Sequence, residues 1–308
     1  MRQPSHASVM NRMIIATRGS ELARIQAQTV AAALREKLGV DVDLAIIHTQ
    51  GDRVTDRPLR ELEGRGYFTR EIEEALLDRR ADVAVHSFKD MPSKAPDGLA
   101  LAAVSVREDA ADLLILRPEA HDPGMGFIPV RAGAVVGTSA VRRESQLKGL
   151  RPDLKSKDLR GNVPTRLGKL ANGQYDAIFL AAAGVNRLGL NLSGFVAVRL
   201  DPARFVPSPG QGALAIQMRA GDPAFEAVRA ALHDPDTAAA TALERAVQAR
   251  FGGGCGLPLG AHAFRDGGEW QGYGHWGGEG FFTWSQARHT DPETVIRHLH
   301  RALAEETA

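Results

Sequence analysis

An α/β protein of more than one domain, with two similar units facing one another and a third unit following, is what this sequence predicts. Three observations lead there. A chain of 308 residues is too long for one small core, so two or three domains are expected. Short apolar runs alternate with stretches of helical periodicity over most of its length. Two pairs of segments also look alike. Ile14-Ile15-Ala16-Thr17-Arg18-Gly19-Ser20 resembles Val135-Val136-Gly137-Thr138-Ser139-Ala140, and Asp82-Val83-Ala84-Val85 resembles Asp176-Ala177-Ile178-Phe179.

In chain order, residues 13–16 form a short apolar strand that ends in the turn Thr17-Arg18-Gly19-Ser20. Leu22, Ile25, Val30, Leu34 and Leu38 then recur at helical spacing, with Ser20 placed to cap the helix and Gly39 to end it. Val42, Leu44 and Ile46 alternate with Asp43 and Ala45, the pattern of a strand. A polar stretch over 49–66 precedes an amphipathic helix over 69–79. Val83-Ala84-Val85 is a buried strand opening into His86-Ser87-Phe88-Lys89-Asp90. The pattern repeats with Val135-Val136-Gly137 as strand, Thr138-Ser139 as turn and a helix from Arg142. Leu159-Arg160-Gly161-Asn162 leads into a helix with Pro164 near its first position. Residues 177–180 form another apolar strand, running into Ala181-Ala182-Ala183-Gly184 and a helix through Arg187. A crossing segment at 207–211 returns into a strand over 213–218. The third unit holds a helix over 237–250, a Gly/Trp-rich region to Trp284 and a last helix over 293–305.

Composition narrows the function classes. With 38 basic and 37 acidic residues the net charge is +1, so no global field attracts nucleic acid or an anionic membrane. Any affinity for anions must come from a local cluster. The single cysteine, Cys255, excludes an internal disulfide framework and suits a reducing cytosol. The first residues are polar, with no export signal, and no apolar run reaches the length of about 18 residues that a membrane helix needs. A cytoplasmic protein is expected. The histidines show no metal-ligand spacing, and no Gly-rich nucleotide fingerprint follows a strand.

Open α/β sheets bind ligands beyond the carboxyl ends of their strands. Arg18, Lys89, Asp90, Arg142, Arg143, Arg160 and Arg187 stand at such ends, and Arg166 lies on the first turn of the helix after Arg160. A guanidinium matches a carboxylate bidentately, so this set suits a ligand with several carboxylates. Asp90 reads either as a turn-capping residue before Met91-Pro92 or as a carboxylate kept ionised to serve an amine-expelling reaction. Cys255, within Gly252-Gly253-Gly254-Cys255-Gly256, reads either as a small buried hydrophobe or as a thiol that a bulky adduct can approach.

Taken together these segments resemble the hydroxymethylbilane synthase (porphobilinogen deaminase) family over most of the chain. The resemblance is carried by Ala16-Thr17-Arg18, Gly51-Asp52, Gly64-Arg65-Gly66, the run from Arg80 through His86-Ser87-Phe88-Lys89-Asp90-Met91-Pro92, Gly137-Thr138-Ser139, Arg142-Arg143, Leu159-Arg160-Gly161-Asn162, Thr165-Arg166-Leu167, Tyr175-Asp176-Ala177-Ile178, Gly210-Gln211-Gly212-Ala213 and Gly253-Gly254-Cys255. It implies three domains, spanning 1–107 with 206–224, 108–205, and 225–308. The first two would be periplasmic-binding-protein-like α/β domains flanking a cleft, and the third a smaller α+β domain carrying the cysteine. It also implies one covalent dipyrromethane primer per chain, held through a thioether to Cys255, on which four porphobilinogens condense with loss of ammonia. Asp90 would be the catalytic residue. Lys89, Ser87, Thr138, Ser139, Arg142, Arg143 and Arg160 would hold the primer. Arg18, Gln26, Arg160, Arg166 and Arg187 would bind substrate, and a lid formed by the 49–66 stretch would include Arg65 and, just beyond it, Phe68. Arg65 stands where the family more often has lysine, and Ala140 where serine is common. The implied partner is porphobilinogen alone, for a monomer with no metal, nucleic acid or membrane. The alternative is a non-catalytic carboxylate-binding protein of the same two-lobed fold, which needs neither Asp90 amid cations nor Cys255 among glycines.

Overall fold

The computed structural model describes residues 12–53, 67–254, 256–278 and 281–305. In chain order these form β1 (Arg12–Arg18), α1 (Glu21–Leu38), β2 (Asp41–Ile47), α2 (Gln50–Arg53), α3 (Arg70–Leu77), β3 (Val83–Ser87) and β4 (Leu99–Val104). There follow β5 (Asp112–Leu116), β6 (Val135–Gly137), α4 (Val141–Leu150), β7 (Lys155–Lys157), α5 (Val163–Ala171), β8 (Ala177–Ala181), α6 (Ala182–Leu188) and β9 (Val196–Arg199). The remainder is β10 (Leu214–Arg219), α7 (Phe225–Leu232), α8 (Pro235–Arg250), β11 (Leu259–Asp266), β12 (Glu269–Gly278), β13 (Phe281–His289) and α9 (Pro292–Glu305).

Two five-stranded sheets run β2-β1-β3-β10-β4 and β7-β6-β8-β5-β9. The orders correspond place by place. β1 stands where β6 does and β3 where β8 does, and these are the segments that look alike in sequence. In each sheet the first three strands are parallel and the fourth is antiparallel to both neighbours. That fourth strand is lent by a chain that has just left the other sheet: β5 follows β4, and β10 follows β9. Two crossing segments, 105–111 and 200–213, therefore join the halves.

The helices form where local chemistry supports them. Ser20 Oγ accepts from Ala23 N at the start of α1, and Gly39 closes it in the left-handed region at φ 65°. Alternation along β1 sends Met13 and Ile15 to the α1 side, among Val30, Leu34, Val83 and Ile216, and Ala16 to the α3 side, among Ile72 and Leu76. Both Leu34 and Leu76 are completely buried, which contributes roughly 1.5–3 kcal/mol each. In the third unit, α8 and α9 cover the antiparallel sheet β11-β12-β13 through Leu243, Val247, Ala261, Val295 and Leu299. A side chain at Gly272 of β12 would collide with Val295 of α9, so the glycine is what lets helix and sheet meet.

Candidate active site

Both sheets open their parallel strands' carboxyl ends toward the same region. β3 ends at Ser87, and a single 3₁₀ turn of Phe88, Lys89 and Asp90 follows, fixed by Phe88 N donating to Ala213 O (3.0 Å) and Met91 N to Phe88 O (3.2 Å). Lys89 and Asp90 are half-buried. Burial lowers the Lys89 ammonium to about 8, with Arg143 and Arg142 pushing the same way and Asp90 and Asp112 opposing. Arg166 is lowered to about 10, first by burial, then by Arg143 and Arg160, with Asp90 opposing. These mutual influences gather Asp90, Lys89, Arg142, Arg143, Arg160 and Arg166 into one electrostatic cluster.

The paired arginines are more enclosed than open ligand-binders would be: each is only 5% exposed. Asp112, at the start of β5 and fully buried, accepts from both. Arg142 Nη2 donates to its Oδ2 (2.8 Å) and Arg143 Nη2 to its Oδ1 (2.7 Å). Burial alone would raise the Asp112 carboxyl, but the two guanidiniums outweigh it and hold it far below the usual range. Arg142 Nη1 donates further to Val206 O (2.7 Å) and Arg143 Nη1 to Phe179 O (3.2 Å). Gln211, in the second crossing segment, donates to Asp112 Oδ1 (2.9 Å) and accepts from Lys89 Nζ (3.1 Å). One hydrogen-bonded chain thus runs from the neighbour of Asp90 to the arginine pair. Arg143 Nε alone in that pair is buried without an acceptor.

Around this centre, Gln26 Nε2 donates to Ser87 Oγ (3.1 Å). Arg18 lies with its guanidinium 4.1 Å from the centroid of Phe68, so the ring covers that cation. Thr138 Oγ1 accepts from Ala140 N (3.1 Å). Ser139 Oγ donates to Leu159 O and accepts from Leu159 N, both at 2.9 Å, so this hydroxyl shapes the Arg160 loop instead of standing open as a ligand donor. The N-cap of α4 is Ala140 and has no side-chain capping bond, in contrast to Ser20 on α1. Arg166 Nε donates to Gly161 O (2.7 Å) and Lys169 Nζ to Arg160 O (3.0 Å). Arg187 stands apart from the cluster. Its Nη2 donates to Gly212 O (2.7 Å), and burial lowers it while Glu108 opposes, so it braces the crossing segments.

Cys255 and Arg65 lie outside the described residues. The chain on the N-terminal side of Cys255 is tied down by Gln248, whose Nε2 donates to Gly254 O (3.0 Å). Gly253 abuts Ser93: a side chain there would come within 2.6 Å of Ser93 Oγ. The cysteine's loop therefore meets the segment just beyond Asp90. Arg245 of α8 secures that segment by donating to Met91 O (3.2 Å) and Pro92 O (2.5 Å). Sequence reasoning missed Asp112, Gln211, Glu244 and Arg245. An acidic residue opening the apolar run Leu113-Leu114-Ile115-Leu116 was the available signal for Asp112. Among the described residues, no His/Cys/Asp/Glu group could hold a metal ion, and no helix is long and apolar enough to cross a membrane.

Residues 13–227 match the family model described as "Porphobilinogen deaminase, dipyromethane cofactor binding domain". Porphobilinogen deaminase of Chromobacterium violaceum is 47% identical over 255 residues, covering 82% of this chain and 80% of that protein. The enzyme of the same name from Syntrophobacter fumaroxidans is 45% identical over 250 residues, 81% of this chain and 79% of its own. Among solved structures, the VFT2 domain of Bordetella pertussis BvgS covers 71% of this chain and 85% of its own at 16% identity. Its TM-score is 0.43, a likeness too remote to carry an argument.

Proposed function

Because this chain belongs to the porphobilinogen deaminase family, we propose that the opening between its two five-stranded sheets houses that family's reaction and that Asp90 is its catalytic carboxylate. The protein is a hydroxymethylbilane synthase, a transferase. It condenses four porphobilinogens head to tail on a covalent dipyrromethane primer, releasing ammonia and, by hydrolysis, the linear tetrapyrrole.

The observation that carries the site assignment is one half-buried carboxylate, Asp90, within electrostatic reach of the cations Lys89 and Arg166. Porphobilinogen brings an acetate and a propionate to each addition, so the bound chain gains negative charge stepwise, and the guanidiniums supply the matching field. Loss of ammonia from its aminomethyl group leaves a cation. An ionised Asp90 lowers the energy of that cation and can accept the α-proton lost when the new pyrrole regains its aromaticity. The dipyrromethane, when bound, supplies the pyrrole carbon that attacks.

The residues present fit that primer. It carries carboxylates on both rings, and Arg143 Nε is a buried donor lacking an acceptor, a state that costs about 1–3 kcal/mol until an anion arrives. Under this reading Cys255 forms the thioether. Arg142, Arg143, Lys89 and Arg160 hold the primer's carboxylates, while Ser87, Thr138 and Ser139 shape its seat. Arg18, Arg166 and Arg187, with Gln26, serve the incoming substrate, and Phe68 and Arg65 belong to the lid. The domain divisions 1–107 with 206–224, 108–205 and 225–308, and action as a cytoplasmic monomer, belong to the same proposal.

An intact-mass spectrum of the purified protein beside Cys255→Ser, with turnover of Asp90→Ala, tests it. The parent should carry an excess of two porphobilinogens less two ammonias, which Cys255→Ser lacks. Asp90→Ala should keep the primer and lose activity by about a thousandfold. Substantial turnover in Asp90→Ala would sink the role given to that residue.

A further inference from the structure

The Gly/Trp-rich region that sequence leaves without a role forms β12 and β13, and that hairpin is seated on α4. His275 of β12 is fully buried at the contact. Its Nδ1 lies 3.0 Å from Thr283 O, and a carbonyl only accepts, so Nδ1 carries the ring proton. Nε2 is left as an acceptor, and Ser145 Oγ, 3.2 Å away on α4, donates to it. Burial keeps the ring neutral, at about 3, and the nearby Arg142 guanidinium works in the same direction. Glycines close the seat from both sides. A side chain at Gly277 would collide with Ser145, and one at Gly149 of α4 would collide with the ring of Phe282.

The same edge of β12 leads back to the cysteine. Gly277 N donates to Pro258 O (3.2 Å), and Trp276 pairs with Leu259, where β11 leaves the Cys255 loop. A second route runs beside the first. Gly260 of β11 packs against Val206, where a side chain would come within 2.6 Å of the carbonyl oxygen, and that oxygen accepts from Arg142 Nη1 (2.7 Å). Since α4 has no side-chain cap and only ten residues, its first turn takes its position from packing more than from its own hydrogen bonds.

We propose that His275 is a positioning residue for the primer: it seats α4 on the strands that leave the cysteine loop and so fixes the spacing between the covalent anchor and the Arg142 guanidinium. This rests on the reading of Cys255 as anchor and Arg142 as carboxylate clamp. The geometry matters because the primer must reach both at once, and a misplacement of about 1 Å costs on the order of a hundredfold in a reaction that depends on held geometry.

The test follows primer assembly on full-length apoprotein incubated with porphobilinogen, read as mass gained on Cys255. His275→Leu should slow assembly about tenfold, and Ser145→Ala should slow it less. His275→Gln, which can both donate and accept, should recover part of the rate. The deciding comparison combines His275→Leu with Arg142→Lys. If His275 acts through Arg142, the double variant is no slower than Arg142→Lys alone. Parental rates in His275→Leu, or a double variant slowed by the product of the two single effects, overturn the proposal. Should His275→Leu fail to fold, Ser145→Ala with Arg142→Lys is judged by the same criterion. A parent protein that gains no mass on Cys255 overturns the anchor assignment together with this inference. A parent that gains it while His275→Leu gains it equally fast overturns this inference alone.

Discussion

Asp112 shows how a single residue can set the character of a binding site without facing its ligand. Two guanidiniums share its carboxylate in a fully buried position, and Gln211 adds a third donor. Taking the charge away leaves Arg142 and Arg143 as buried like charges with no counter-ion, and breaking a buried pair in this way costs about 3–5 kcal/mol. Asp112→Asn should therefore lower the urea midpoint of unfolding by an amount corresponding to that loss, and a midpoint within error of the parent would show that the pair is solvated. Arg142 and Arg143 were legible as an adjacent pair at a strand end, but Asp112 was not, because it comes 30 residues earlier and meets Arg142 only through the order of the second sheet. The setting of Ser139 depends on the fold in a related way. A hydroxyl beside arginines reads as a ligand donor until the fold brings the backbone of Leu159 to it, and here that backbone both accepts its proton and donates to it.

Among the elements, α5 shows most plainly how local sequence chemistry sets up the site. Asn162 caps it, accepting from Thr165 N (2.9 Å) and Thr165 Oγ1 (2.7 Å), and Pro164 lies within its first turn. That cap holds the turn from which Arg166 and Lys169 bond back to the Gly161 and Arg160 carbonyls. Asn162→Ala should cost about 1 kcal/mol of stability and raise KM for porphobilinogen several-fold while primer occupancy stays at the parental level. A lowered melting temperature with an unchanged KM would separate the cap from the arginines proposed to bind substrate. Elements with such signals were readable from sequence: α1 with Ser20 and Gly39, α5 with Asn162, and the paired look-alikes β1 with β6 and β3 with β8. Elsewhere the expected bounds shifted. The helix expected over 69–79 stops at Leu77, because Arg79 turns into the left-handed region at φ 58°. The helix expected from 237 starts at Pro235, since Asp234 caps it. β4 was missed because Leu99-Ala100-Leu101-Ala102-Ala103-Val104 is alanine-rich and suits a helix equally well. β12 was missed because its glycines, which read as loop, are sites of close approach to α9 and α4.

For the whole molecule, a buried carboxylate helps tie the third unit to both crossing segments, and this gives the fold a definite sensitivity to acid. Glu244 of α8 accepts from Arg107 Nη1 (2.7 Å) and Nη2 (3.0 Å), Gly210 N (2.7 Å) and Ala263 N (2.9 Å), so it bonds both crossing segments and β11. Burial alone would raise its carboxyl, but Arg107 and His262 outweigh this and hold it at about 2, below the ordinary 4.5. Its contribution is complete above pH 4.5 and disappears as pH falls toward 2. Two buried histidines begin the loss earlier. His86, beside Gln217 beneath the Asp90 turn, is lowered by burial to about 4, and His275 to about 3, both from 6.5. Below 6.5 the unfolded chain takes up protons that these folded rings refuse, so stability declines from there until the rings themselves titrate. Urea midpoints should therefore fall between pH 7 and pH 5, before any carboxylate in the hub is protonated, and fall more steeply below 4.5. His86→Gln should flatten the upper part of that decline and leave the lower part in place. A midpoint constant from pH 7 to pH 5 would mean that neither ring is held neutral by burial, and the neutral Nε2 that Ser145 needs as its acceptor would lose its physical basis.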